Sequence, residues 1–137
     1  MKKLLLILMI LISSLYAQEY KAIYNLTSSK LTAYESSLLR GIPNLSEHYK
    51  ANGDSLKVVV IISGGAYKFF RNDVNSELNT ELLALVQSGV KFEVCSVGMK
   101  KRGLTKEQLY SFVTPVFNRT ASLIEWQSKG YSLVNIE

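Results

Sequence analysis

The chain has a single cysteine, Cys95, and a single histidine, His48, so nucleophilic or redox chemistry by side chains centres on one thiol. Cys95 stands near the end of the apolar run Lys91-Phe92-Glu93-Val94-Cys95-Ser96-Val97, which reads as a buried strand. Gly98 follows, and then the basic triplet Lys100-Lys101-Arg102. A thiol at a strand's C-terminal end, with cations close in sequence, is favoured as the thiolate that attacks electrophiles. The competing reading is a small hydrophobe that fills a core. One histidine and one cysteine do not make an ordinary protein metal site, and His48 reads as a helix-surface residue.

The N-terminus sets the compartment in which that thiol works. Lys2 and Lys3 form a positive region, Leu4 to Ile12 is uninterrupted apolar sequence, and Ser13, Ser14 and Ala17 supply small residues. This is the pattern of a cleavable signal peptide over residues 1–17, and it predicts a periplasmic protein. The apolar run is shorter than the ~18–20 residues that span a bilayer, so no stable membrane anchor is expected. An uncleaved anchor is the alternative, because Leu15 rather than alanine stands two residues before the cut. No cysteine follows the apolar run to carry a lipid. In an oxidising compartment a lone cysteine is buried, paired with another chain, or used. Without disulfides the mature chain needs a real core, and residues 18–137 suffice for one compact domain. The formal net charge is +5, and Lys2 and Lys3 leave with the signal. The remainder is mildly basic without a basic stripe interleaved with aromatics, which argues against nucleic-acid binding. Small anions are better tolerated partners.

The mature sequence alternates strand and helix patterns. Tyr20–Leu26 alternates as a strand. Tyr34, Leu38, Leu39, Ile42, Leu45 and Tyr49 follow at helical spacing, with Pro43 predicting a kink or a helix restart. Leu56–Ile62 is a central strand buried on both faces. Ser63-Gly64-Gly65 and a short aromatic patch, Tyr67 to Arg71, come next. Val74, Leu78, Leu82, Leu85 and Val86 mark a helix stopped by Gly89. After the Cys95 strand, Thr105 and Gln108 fit a capping box, and Pro115 is expected to end or bend that segment. Asn118 caps a last helix, and Tyr131–Ile136 is the last strand. The alternation predicts a mostly parallel sheet in a three-layer helix–sheet–helix sandwich of the α/β class.

In such a sheet, ligands bind beyond the carboxyl ends of the strands. Three loops leave that edge: Leu26-Thr27-Ser28, Ser63-Gly64-Gly65 and Cys95-Ser96-Val97-Gly98. Gly64 and Gly65 would let backbone amides approach an anion, although a tight strand-to-helix turn needs the same glycines. The pattern is neither a dinucleotide fingerprint nor a P-loop, and no cofactor is required.

Residues 58–66 (Val-Val-Val-Ile-Ile-Ser-Gly-Gly-Ala), 85–90 (Leu-Val-Gln-Ser-Gly-Val) and 91–104, from Lys91 through Cys95 to Arg102-Gly103-Leu104, together resemble the DsrE/DsrF-like family. Residues 123–131 (Leu-Ile-Glu-Trp-Gln-Ser-Lys-Gly-Tyr) are similar to exported members. The most specific part is a strand ending in cysteine, with a basic residue and glycine seven or eight positions later. The resemblance implies a small DsrEFH-like α/β subunit that forms homo-oligomers. It also implies a cysteine, here Cys95, that accepts sulfur as a persulfide and passes it on, with Arg102 in a supporting role. The partner would be a small sulfur compound or a sulfur-carrier protein. Cytoplasmic relay members differ in location, which leaves two alternatives for an exported chain: a different donor and acceptor, or a lost relay. Ser63, Gly64, Gly65, Lys101 and Arg102 are the companion candidates for anion binding.

Two other readings stay open. One is a non-catalytic oligomeric binding module, with Tyr67, Phe69 and Phe70 at a subunit interface. The other is a flavodoxin-like nucleotide binder, which rests on fold analogy alone. N-terminal sequencing of the exported protein should begin at Gln18; Met1 retained on membrane-bound protein would instead identify an uncleaved anchor.

Overall fold

The computed structural model describes Lys2, residues 16–75 and residues 79–137. The apolar run of the signal sequence and Leu78 lie outside the described residues. Five strands, β1 (Glu19–Leu26), β2 (Ser55–Ile62), β3 (Lys91–Cys95), β4 (Val113–Val116) and β5 (Ser132–Ile136), form a sheet in the order β4-β3-β2-β1-β5. Every pairing is parallel. Parallel neighbours cannot be joined by hairpins, so each connection crosses a face of the sheet. The crossovers carry α1 (31–51), α2 (Thr80–Gln87), α3 (Ser96–Lys101) and α4 (Arg119–Ser128).

The two faces are unequal. Ala22, Tyr24 and Leu26 of β1 share one face with Val58, Val60 and Ile62 of β2 and with Phe92 and Val94 of β3. They form the main core with Leu38, Leu39, Ile42, Tyr67, Phe70, Leu82, Leu85 and Met99. The opposite face buries Ile23, Val59 and Ile61 under Leu123, Trp126 and Tyr131. The sandwich is three-layered as expected, with α4 covering the thinner side. Alternation along β2 leaves all five residues from Val58 to Ile62 buried, which is why that run reads as continuous apolar sequence.

Local departures from the sequence pattern have physical causes. Helix α1 has a π-helical middle, Tyr34–Arg40, and resumes as α-helix over Gly41–Ala51. Pro43, which has no N–H to give the preceding turn, thus follows directly on the π-helical stretch, a departure from regular α-helical bonding at the place where the sequence predicts a kink or restart. Pro115 does not end its segment but lies within β4. That strand pairs only with β3 and so is an edge strand, the place in a sheet that tolerates proline. Helix α2 begins at Thr80 because Asn79 caps it, its Oδ1 accepting from Glu81 N at 2.8 Å and Leu82 N at 3.1 Å. Val74 precedes it in an exposed turn. The capping box at Thr105 and Gln108 forms, but over a single 3-10 turn, Lys106–Gln108. Strand β3 stops at Cys95, and Ser96 already begins α3.

The thin layer is tied down by one carboxylate. Glu93 points from β3 to α4 and accepts hydrogen bonds from the Ser122 hydroxyl and, at 3.0 Å, from Trp126 Nε1. Ser122 is buried, so losing the acceptor strands its hydroxyl. Urea unfolding of Glu93→Ala should show a loss of roughly 1–3 kcal/mol, the usual cost of an unsatisfied buried donor.

Candidate functional site

All five strands run the same way, so their C-terminal ends share one edge. There the loops after β1, β2 and β3 meet the N-terminus of α4. The β1 and β2 loops are stitched together: Gly65 N donates to Thr27 O at 3.0 Å, and Ser63 N donates to Leu26 O at 3.1 Å. A Cβ on Gly64 would meet Thr27 O at 2.9 Å, and the residue holds a φ of +59°. The adjacent glycines thus serve close loop packing, and the Gly65 amide is committed to Thr27 rather than free for an anion.

Cys95 sits where β3 turns into α3 and is 8% exposed. As a free cysteine it has no side-chain capping hydrogen bond of its own, yet it is ringed by donors. Burial pushes the thiol up, but the backbone N–H groups of Gly98, Arg119 and Val97 outweigh it and, with the Tyr67 hydroxyl close by, hold the thiol below its ordinary range. The stabilisation comes from backbone dipoles and one phenol, not from the basic triplet. Lys101 is an exposed side chain in the last turn of α3. Arg102 reaches the site indirectly, its guanidinium lying 4.8 Å from the Tyr67 ring centre.

Tyr67 joins these parts. It is buried in the 3-10 segment Gly64–Phe70, and its hydroxyl donates to Cys95 O at 2.8 Å. Burial pushes its pKa up to about 12, so it remains a neutral donor throughout the physiological range. Arg119 supplies its backbone N–H to the thiol, while its side chain lies 3.5 Å from Ser63 Oγ. Of the sequence candidates, the structure therefore brings Cys95 and Ser63 together through Arg119. It places Arg102 behind Tyr67, Gly64 and Gly65 in loop packing, and Lys101 outside. Tyr67 and Arg119 enter the site without having been singled out for it, and Gly98, read in the sequence only as part of the strand-end loop, joins them. The aromatic patch is not an exposed interface: Tyr67 and Phe70 are core residues, and Phe69 is stacked on Tyr34 at 4.3 Å.

A shallow cavity of about 330 Å³, lined by Gly64, Gly65, Tyr67, Lys68, Arg71, Arg102 and Leu104, opens beside Tyr67. Arg71 is engaged by Asp73 at 2.6 Å. A larger groove of about 440 Å³ lies at the other end of the strands, lined by Leu56–Val58 and Ser88–Val90 among others, and holds none of the site residues. Among the described residues no three His, Cys, Asp or Glu side chains gather as metal ligands. Nor is any helix there long and apolar enough to cross a membrane.

The fold of this sheet and its helices has counterparts in known proteins. The DsrE/DsrF-like family model matches residues 8–136. The chain belongs to this family. No curated protein matches the sequence. Among solved structures, the protein of unknown function MTH1491 from Methanobacterium thermoautotrophicum is similar at a TM-score of 0.66 and 21% identity, over 85% of this chain and 98% of that one. The conserved protein of unknown function BT1422 from Bacteroides thetaiotaomicron follows at 0.62 and 18%, over 85% and 94%. The ychN protein from E. coli gives 0.57 and 17%, over 86% and 98%. These likenesses establish the shared α/β fold.

Because amides rather than cations hold the thiol down, Lys101→Ala should leave the pH midpoint of Cys95 alkylation by iodoacetamide unchanged. A clear rise in that midpoint would return the basic triplet to the site.

Proposed function

We propose that this DsrE/DsrF-like protein is exported to the periplasm and handles sulfur through a persulfide on Cys95. The observation that carries the reading is the thiol itself, at the ligand-binding edge of a parallel sheet and surrounded by donors that favour its anion. The thiolate attacks a terminal sulfur of a polysulfide donor. A bond forms between Sγ and that sulfur, the donor's S–S bond breaks, and the shortened polysulfide leaves with the electron pair. Transfer onward reverses the roles: an acceptor thiolate takes the outer sulfur and Cys95 departs as thiolate. No external oxidant or reductant is consumed, and the same donors stabilise the sulfur anion at the start and end of the cycle.

Family resemblance supports assembly into a homo-oligomer. Exposed Phe117, Ile124 and Leu133 offer apolar contacts for it, in place of the aromatic patch that the fold buries. A purely binding role remains the second reading, favoured by the low exposure of Cys95.

Intact-mass analysis after polysulfide treatment should show added sulfur on the native chain and none on Cys95→Ser. A native protein that takes up no sulfur, and whose Cys95 is alkylated only on unfolding, would place the thiol in the core and bring the binding reading forward.

A further inference from the structure

The closest packing at the site lies between residues 31 positions apart. A Cβ built on Gly98 would overlap the Tyr67 hydroxyl and approach Tyr67 Cζ to 3.0 Å. Gly98 lies inside α3, where alanine is intrinsically the better helix former. Helix formation does not explain a glycine there; the phenol does. With no side chain at Gly98, the Tyr67 hydroxyl reaches through and donates to Cys95 O at 2.8 Å. That carbonyl belongs to the residue at which strand becomes helix. Its orientation is coupled, through two peptide units, to the Val97 and Gly98 amides that act on Sγ.

We propose that Tyr67 is the positioning residue of this site: admitted by Gly98, its hydroxyl clamps the Cys95 carbonyl and keeps the Val97 and Gly98 amides turned toward the thiol. The other groups packed around this corner are consistent with this division of labour. From α4 comes the Arg119 amide, with its guanidinium directed to Ser63 Oγ. From the turn after α3 comes Arg102, which lies over the Tyr67 ring. Neither replaces the hydroxyl as a link between the 3-10 segment and the β3–α3 corner. The role builds on the proposed sulfur chemistry at Cys95, but it is read without any sulfur donor.

The test is the pH profile of iodoacetamide alkylation in the exported chain, measured on three variants. Tyr67→Phe keeps the ring and removes the clamp, and its midpoint should rise by roughly half to one pH unit, the equivalent of one hydrogen bond. Gly98→Ala keeps the hydroxyl but displaces it, and should raise the midpoint by a similar amount. In the Tyr67→Phe background, Gly98→Ala should add little, because the overlapping oxygen is gone. A midpoint unmoved by Tyr67→Phe, or Gly98→Ala effects of equal size in both backgrounds, would overturn the proposal. Sulfur loading of the native chain is scored separately: its failure removes the relay reading and leaves the midpoint shifts to decide the role of Tyr67.

Discussion

The burial of β2 on both faces is the constraint from which the rest follows. Five consecutive apolar side chains, Val58–Ile62, lie in the interior, each worth about 1.5–3 kcal/mol when removed from water. A strand of that kind must be central, flanked by partners and covered by helices above and below. Parallel pairing with β1 and β3 meets the demand, and parallel pairing requires crossovers. All strand ends of one polarity then lie along one edge. Cys95, Ser63 and the start of α4 meet there because the core leaves the chain no other arrangement, although they are dozens of residues apart.

At that edge the controlling forces are short-ranged. Desolvation works against a thiolate at Cys95, and oriented N–H groups with one phenol overcome it. Fixed dipoles suit such a place better than lysines. An ammonium on a flexible stem is screened by water and must be desolvated to help, whereas backbone donors are already aimed and cost no side-chain entropy. The same preorganisation makes the site sensitive to a single methyl at Gly98. There is no slack between Gly98 of α3 and the Tyr67 ring, which is buried in the main core.

Much of this was legible in the residues. The unbroken apolar run of β2, the alternation in β1, the Asn118 cap and the strand ending in Cys95 all carry local signals. Their periodicity specifies the α/β class and the edge on which the thiol stands. Strand β4 was hidden because it is only Val113–Val116 and contains a proline that an edge position excuses. The start of α2 was misplaced because Val74 fits helical spacing, while Asn79 makes the cap. The Gly64-Gly65 pair was visible as glycine, but its purpose depends on Thr27 and Ser29 of another loop. Gly98 was legible only as part of the strand-end loop and Tyr67 only as an aromatic, and Arg119 gave no sign, because their roles at the thiol exist only across the fold. A tyrosine 28 residues before the cysteine looks like any other core aromatic until the sheet brings it to the corner.

The central claim is that folding, and not nearby cationic side chains, makes the Cys95 thiol acidic. Ultraviolet titration of thiolate absorbance in the folded chain, with Cys95→Ser as the blank and the urea-unfolded chain as reference, measures this directly. The folded midpoint should lie below both the unfolded value and the ~8.5 of an ordinary thiol, and should hardly move with added salt, because the donors are backbone dipoles. A folded midpoint at or above the unfolded one would contradict the account and leave Cys95 as a packed core residue.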